Sequence, residues 1–145
     1  MAEWTERAAL LFKQEGLNKL QNAKVLVVGL GGVGSFAAEF LARAGVGTMT
    51  IVDGDVVDIT NINRQLPALH STVGEPKVTI VGDRLMDINP ELQLTRVREF
   101  LSPERAFEIV SEEYDYVLDC IDSITPKLNL IIGAKRKRVK IISSM

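Results

Sequence analysis

The residue types able to do chemistry in this sequence are a glycine run and a few charged side chains. The glycines are Gly29, Gly31, Gly32 and Gly34 of GLGGVG. The charges are Asp53, Arg64, Lys77 and Asp122. The glycine run lies between an apolar segment, KVLVVG at 24–29, and a stretch of helical spacing. In that setting Gly29 permits a tight turn, Gly31 lets the backbone approach a phosphate, and Gly34 lets helix and strand pack closely. Free N–H groups at the helix start then favour an anion. Asp53 follows the next strand, about 20 residues beyond the run, where a carboxylate accepts hydrogen bonds from ribose hydroxyls. These features call for a nucleotide but do not separate ATP from NAD.

Separation comes from DGDVVDITNINRQ at 53–65, GEPK at 74–77 and LDCID at 118–122. A dehydrogenase has no use for a fixed arginine and lysine just past the second strand. Attack of a carboxylate on an α-phosphate does, because negative charge builds on the phosphoryl oxygens and on departing pyrophosphate. Arg64 offers a planar fork and Lys77 a mobile point charge, with Asn61 and Gln65 beside them. Asp122, at or just past the fourth strand, could hold Mg²⁺ while phosphate oxygens and water complete its shell. A helix N-cap is the competing role for Asp122.

The elements that must position these residues follow from the apolar periodicity. Residues 4–20 read as one or two short helices. The run at 24–29 is a strand buried on both faces. Val33, Phe36, Ala37, Phe40, Leu41 and Ala44 space as an amphipathic helix over 33–44, stopped at Gly45. Strands are expected at 48–53, 92–97, 116–121 and 140–145. Helices are expected at 75–89, from Ser102-Pro103 to about Glu113, and at 124–138. Residues 54–74 read as a loop. The alternation predicts an α/β fold: a Rossmann-like, doubly wound, mostly parallel sheet with helices on both faces. Residues 1–22 form a helical leader and 23–145 the nucleotide-binding domain. The sequence stops at KIISSM with a strand in progress, which predicts further C-terminal sequence.

Composition sets outer bounds. Hydrophobic residues make up 46% and charged residues 25%, an ordinary globular balance. The net charge of −2 supplies no general field for nucleic acid, so any tRNA must be held by a local patch or another subunit. Cys120 is the sole cysteine, which excludes an intrachain disulfide and a cysteine metal cluster. It reads as a small core residue inside a strand. The N-terminus is not a signal peptide and no membrane span is expected, so a cytoplasmic protein is the default. KRKRVK at 135–140 reads as a solvated helix end suited to the C-terminal dipole rather than an RNA patch. His70 has no catalytic partner in sequence, and 6% aromatic residues are too few for a base-stacking platform.

Taken together, GLGGVG, DGDxV…NxxRQ, GxPK and LDCID resemble the ubiquitin-activating-like superfamily, which includes the activating enzymes of molybdopterin and thiamine biosynthesis. The resemblance spans residues from about 4 to the C-terminus. TNINRQLPALHSTVG, DSITPK and the ERAALLF leader are most similar to the tRNA threonylcarbamoyladenosine dehydratase branch. The resemblance implies ATP-dependent adenylation of the threonine carboxylate on the modified adenosine, followed by cyclisation with net loss of water. It implies phosphate contacts from the Gly31 region, Asn61, Arg64 and Lys77, with Asp55 and Gln65 also in the nucleotide site. It further implies ribose contact from Asp53, Mg²⁺ on Asp122, and a homodimer in which Arg7 reaches the partner's site. Remaining substrate-binding elements would lie after Met145, so residues 1–145 alone are expected to bind ATP weakly or not to turn over. No thioester cysteine is expected.

Three other readings compete. An activator of a ubiquitin-like sulfur carrier shares the chemistry, and paired CxxC motifs downstream would favour it. An NAD(P)-binding oxidoreductase domain explains the glycines and Asp53 but leaves Arg64, Lys77 and Asp122 idle. The last is a non-catalytic nucleotide-binding or scaffolding subunit.

Overall fold

In the computed structural model, which describes residues 2–144, the chain alternates helices and strands. The helices are α1 (Glu6–Asn22), α2 (Gly34–Ala44), α3 (Lys77–Ile88), α4 (Pro103–Ile109) and α5 (Ile124–Lys137). The strands are β1 (Lys24–Val28), β2 (Thr48–Val52), β3 (Gln93–Val97), β4 (Tyr116–Asp119) and β5 (Lys140–Ser143). The five strands form one sheet in the order β3-β2-β1-β4-β5. Every neighbouring pair is parallel. The expected α/β doubly wound fold is therefore present.

β1 is central, and its alternating side chains feed two cores. Val25 and Val27 join Ala38, Ala42, Val78, Val81 and Leu85 of α2 and α3. Leu26 and Val28 join Ala106, Ile109, Leu130 and Ala134 of α4 and α5. Burial on both faces explains why β1 reads as continuous valine and leucine rather than as an alternating strand. Helices lie on opposite faces on either side of β1, so the strand order reverses between β1 and β4. The carboxyl ends of these strands flank the crevice where doubly wound sheets take ligands.

α1 matches the expected leader of one or two short helices: it is broken at Lys13, whose φ of 60° leaves the helical region, into two helical pieces. Several other boundaries differ from expectation. α3 starts at Lys77 because Pro76 is extended and serves as its N-cap. α4 ends at Ile109 instead of near Glu113. Val110 turns extended and buries itself, and Lys137 Nζ donates to the carbonyls of Phe107 (2.8 Å) and Val110 (2.7 Å) at the helix end. β4 stops at Asp119 because the Asp119 side chain accepts from the Ile121 N–H and turns the chain. Cys120 consequently lies just past the strand, half-buried. The loop at 54–74 contains two short 3₁₀ turns, Ile59–Asn61 and His70–Thr72. Ser102 caps α4 through the Arg105 N–H, as its position before Pro103 suggests. Met145, the end of the expected last strand, lies outside the described residues.

The basic run at the end of α5 is largely occupied within the fold. Arg138 takes the left-handed C-cap position, Lys137 caps α4, and Arg136 and Lys140 lie over the rings of Phe107 and Tyr116. It sits at the amino end of β5, away from the strand ends that carry the cleft. No helix among the described residues is long and apolar enough to cross a membrane.

Candidate functional site

A cleft of ≈ 330 Å³ opens at the carboxyl ends of β1, β2 and β4. Gly29 and Gly31 form one wall, Asp53, Asp55, Gln65 and Lys77 a second, and Cys120 to Ser123 a third. The volume falls within the usual range for small-molecule sites. A larger cleft of ≈ 770 Å³ lies by α1 and the amino ends of β2 and β3; no lysine or arginine lines it.

The glycine turn is built by close backbone approaches. Gly29 has φ of 96°, a conformation that L side chains avoid, and a Cβ there would meet the Cys120 carbonyl. A Cβ on Gly34 would overlap the Gly29 carbonyl. Asp53 ties β2 to this turn, its Oδ2 accepting from Leu30 N–H at 2.7 Å and its Oδ1 from Asp55 N–H at 2.8 Å. Each oxygen keeps a lone pair for a ligand hydroxyl.

The segment from 55 to 77 folds back to deliver the lysine. Val56 bridges to Pro76, Val57 N–H donates to Glu75 O, and Lys77 N–H donates to Asp55 O. These bonds bring Lys77 Nζ to 3.5 Å from Asp55 Oδ2, with the lysine side chain only 5% exposed and the aspartate 52%. Asn61 O accepts the N–H groups of Arg64 and Gln65, setting both beside the glycine turn. Gln65 is buried, and its Oε1 has no hydrogen-bond partner among the described residues. Its Nε2 stands 3.6 Å from where a Cβ on Gly31 would be.

Not every expected residue lines the cleft. Arg64 is exposed on the rim, its aliphatic stem against Gly32, and one guanidinium nitrogen donates to Thr60 O (3.2 Å) and Asn63 Oδ1 (2.9 Å). Asn61 is buried away from the cleft lining. Its Oδ1 accepts from Asp58 N–H at 2.9 Å in a local capping box. Asp58 is held below the usual carboxylate range by the Thr60 hydroxyl and N–H. Arg7 is exposed at the start of α1. Its neighbours Trp4 and Thr5 line the cleft at the opposite end of the sheet, so Arg7 lies away from its own chain's glycine turn.

Asp122 is exposed and lines the cleft. The cap of α5 falls on Ser123, so Asp122 is not the helix N-cap. No group of three or more His, Cys, Asp or Glu among the described residues could hold a metal unaided. Asp122 could therefore contribute to a metal site only with ligand oxygens. Burial, and next the Asp119 charge, push the Cys120 thiol up to about 11, so it is a poor nucleophile.

Sequence reasoning missed the apolar side of the cleft: Phe100, Leu101, Ile121 and Pro126. Phe100 is 77% exposed, and a Cβ on Gly54 would press on its ring and backbone. An aromatic side chain in a polar loop beyond β3 was the available signal.

The switch-point crevice, the glycine turn and the Asp53 tether define a Rossmann-type nucleotide-binding domain. The chain belongs to the ThiF family, whose profile matches residues 5–145. It is 48% identical over 139 residues to a tRNA threonylcarbamoyladenosine dehydratase of Bacillus subtilis, covering 96% of this chain and 55% of the relative. It is 38% identical over 132 residues to the molybdopterin-synthase adenylyltransferase of Escherichia coli, covering 91% and 53%. Among solved structures, the E. coli tRNA N6-threonylcarbamoyladenosine dehydratase in complex with ATP superposes with a TM-score of 0.93 at 40% identity, covering 99% of this chain and 60% of that one. The chain spans about half the length of the curated relatives it matches.

Proposed function

We propose that this chain is the nucleotide-binding part of a tRNA threonylcarbamoyladenosine dehydratase, a cytoplasmic enzyme that adenylates a carboxylate with ATP. The observation that carries the ATP reading is the pairing of a glycine turn with Lys77, an ammonium buried in the wall of the same cleft. The residues present fit a triphosphate. Gly31 and Gly32 leave space that a Cβ would fill beside Gln65 and Arg64. Gln65 Oε1, an unpartnered acceptor, calls for a ligand donor such as a hydroxyl or amine of the nucleoside. Asp53 retains lone pairs for the ribose, and Phe100 offers an apolar face for the base.

The α-phosphate is attacked by the carboxylate oxygen of the threonine moiety, and the bond to pyrophosphate breaks. Lys77 and Arg64 neutralise the charge that grows on the phosphoryl and leaving oxygens. Asn61, through its local box, holds the turn that sets Arg64 and Gln65 in place. The carbamoyl group then closes onto the acyl carbon and AMP departs, for a net loss of water. Asp122 would hold Mg²⁺ together with phosphate oxygens; that cation, when bound, offsets phosphate charge.

We further propose a homodimer through the exposed face of α2, where Val33, Phe36 and Phe40 form an apolar stripe. Arg7 would act across it on the partner's nucleotide. The carrier-activator reading keeps one specific support, the similarity to the molybdopterin-synthase adenylyltransferase. It would replace the tRNA by the C-terminal carboxylate of a ubiquitin-like or sulfur-transfer protein.

Nucleoside analysis of tRNA from cells with and without the full-length gene tests the dehydratase reading. The cyclic nucleoside should vanish with the gene. Its persistence, with no paralogue supplying it, would exclude this substrate.

A further inference from the structure

A buried ion pair stands directly behind the Asp122 loop. Asp119, the last residue of β4, is fully buried. Its Oδ2 accepts from Lys127 Nζ at 2.7 Å and from Ser143 Oγ at 2.6 Å, and its Oδ1 accepts from Ile121 N–H at 3.1 Å. Lys127 Nζ also donates to Ser144 O at 2.6 Å. One carboxylate and one ammonium thus join the end of β4, the loop after it, the first turn of α5 and the end of β5.

Stability alone is a weak reason for this arrangement. Burying two charges costs several kcal/mol per ion, and well-packed apolar replacements are often no less stable. The first turn of a helix is also the end where a cation is least favoured. What the pair does supply is a fixed geometry. The loop it anchors presses on the glycine turn. A Cβ on Gly29 would meet the Cys120 carbonyl, and one on Gly34 would lie 3.1 Å from Cys120 Cβ. Asp122 is two residues further along the same loop and lines the cleft, whereas neither Asp119 nor Lys127 lines it.

We propose that Asp119 and Lys127 are positioning residues, a brace that sets the Asp122 loop against the glycine turn and thereby places the Asp122 carboxylate relative to the nucleotide phosphates. The proposal rests on the ATP and Mg²⁺ reading above. The brace acts on the metal-dependent part of nucleotide binding and leaves the glycine and lysine contacts alone.

The test measures ATP affinity of the full-length protein by calorimetry, with and without Mg²⁺, and amide hydrogen exchange at residues 120–123 without nucleotide. Lys127→Met should reduce the Mg²⁺ enhancement of ATP affinity about tenfold while metal-free affinity stays within about twofold. Exchange at Ile121 should accelerate at least about tenfold as its acceptor loosens. Lys127→Arg, which keeps the charge, should restore most of both. A folded Lys127→Met variant with wild-type Mg²⁺ enhancement and wild-type Ile121 exchange overturns the brace. If that variant does not fold, Asp119→Asn/Lys127→Met removes the unpaired buried charge and takes the same two readouts. Asp122→Ala distinguishes the two levels. If it loses the Mg²⁺ response while Lys127→Met keeps it, the brace fails and the metal reading stands. If Asp122→Ala or the wild type shows no loss or no response, both fall.

Discussion

Lys77 carries its charge into the cleft wall, with Asp55 at 3.5 Å and solvent largely excluded from the lysine side chain. A cation so placed is ready to meet a second anion without reorganising. Lys77→Met should weaken ATP binding at least about tenfold, roughly 1.4 kcal/mol, in a calorimetric titration. Folding stability should change little, because Asp55 is half exposed and loses little when unpaired. Cys120 makes the opposite prediction. Its thiol titrates near 11, and the thiolate is the reactive form. Alkylation by iodoacetamide should therefore be slow at pH 8, rise as pH approaches 11, and slow further with ATP bound. Rapid labelling at pH 8 would contradict the burial described for this thiol. Residue types and spacing pointed to Lys77, Gln65 and Asp122, and all three line the one cleft. They could not show that Asn61 Oδ1 accepts from Asp58 N–H in a local capping box, which leaves the Asn61 amide N–H groups as the donors for a phosphate oxygen.

At the scale of elements, the α2–α3 contact turns on Glu39. It accepts from Arg84 of α3 and, at 3.1 Å, from Arg43 within α2. The Arg84 hydrogen bond, the largest influence, holds Glu39 below the usual carboxylate range. A depressed folded-state value means stability that is present above the ordinary glutamate range and lost as pH falls through the folded value. Glu39→Gln should cost about 1 kcal/mol at pH 7, since both arginines are half exposed. The gap from wild type should close as pH drops below about 4; a constant gap in urea melts would refute the assignment. The glycine turn predicts a larger effect. Gly34→Ala should cost at least about 3 kcal/mol or prevent folding, because its Cβ has no space beside the Gly29 carbonyl. Helix and strand identities were readable from periodicity. The early end of α4 was not, because Lys137, far along the chain, supplies the capping ammonium.

At the scale of the whole molecule, the proposed homodimer gives a direct expectation. Phe40 is 65% exposed on α2, which its amphipathic spacing alone would have buried. Phe40→Glu should shift sedimentation from dimer to monomer while preserving the far-ultraviolet spectrum. A wild-type chain that sediments as a monomer at micromolar concentration would remove the α2 interface from the proposal. Ligand linkage offers a second check. ATP should raise the thermal midpoint in proportion to the logarithm of its concentration. A response to NAD alone would defeat the adenylation reading.

The sequence by itself determined the alternation of strands and helices, the glycine turn and the charged residue types on which the ATP proposal draws. Each is a local property: a hydrophobic period, a backbone conformation open to glycine, or a residue type at a short spacing. Tertiary structure alone decided which charges meet. It buried Lys77 by folding 55–77 back on itself, moved Cys120 out of the strand, and brought Phe100 into the lining of the same cleft as Asp122. It also joined Asp119 to Lys127 and Ser143 behind the loop. These contacts depend on a parallel sheet whose order reverses at β1, which brings distant strand ends to one crevice.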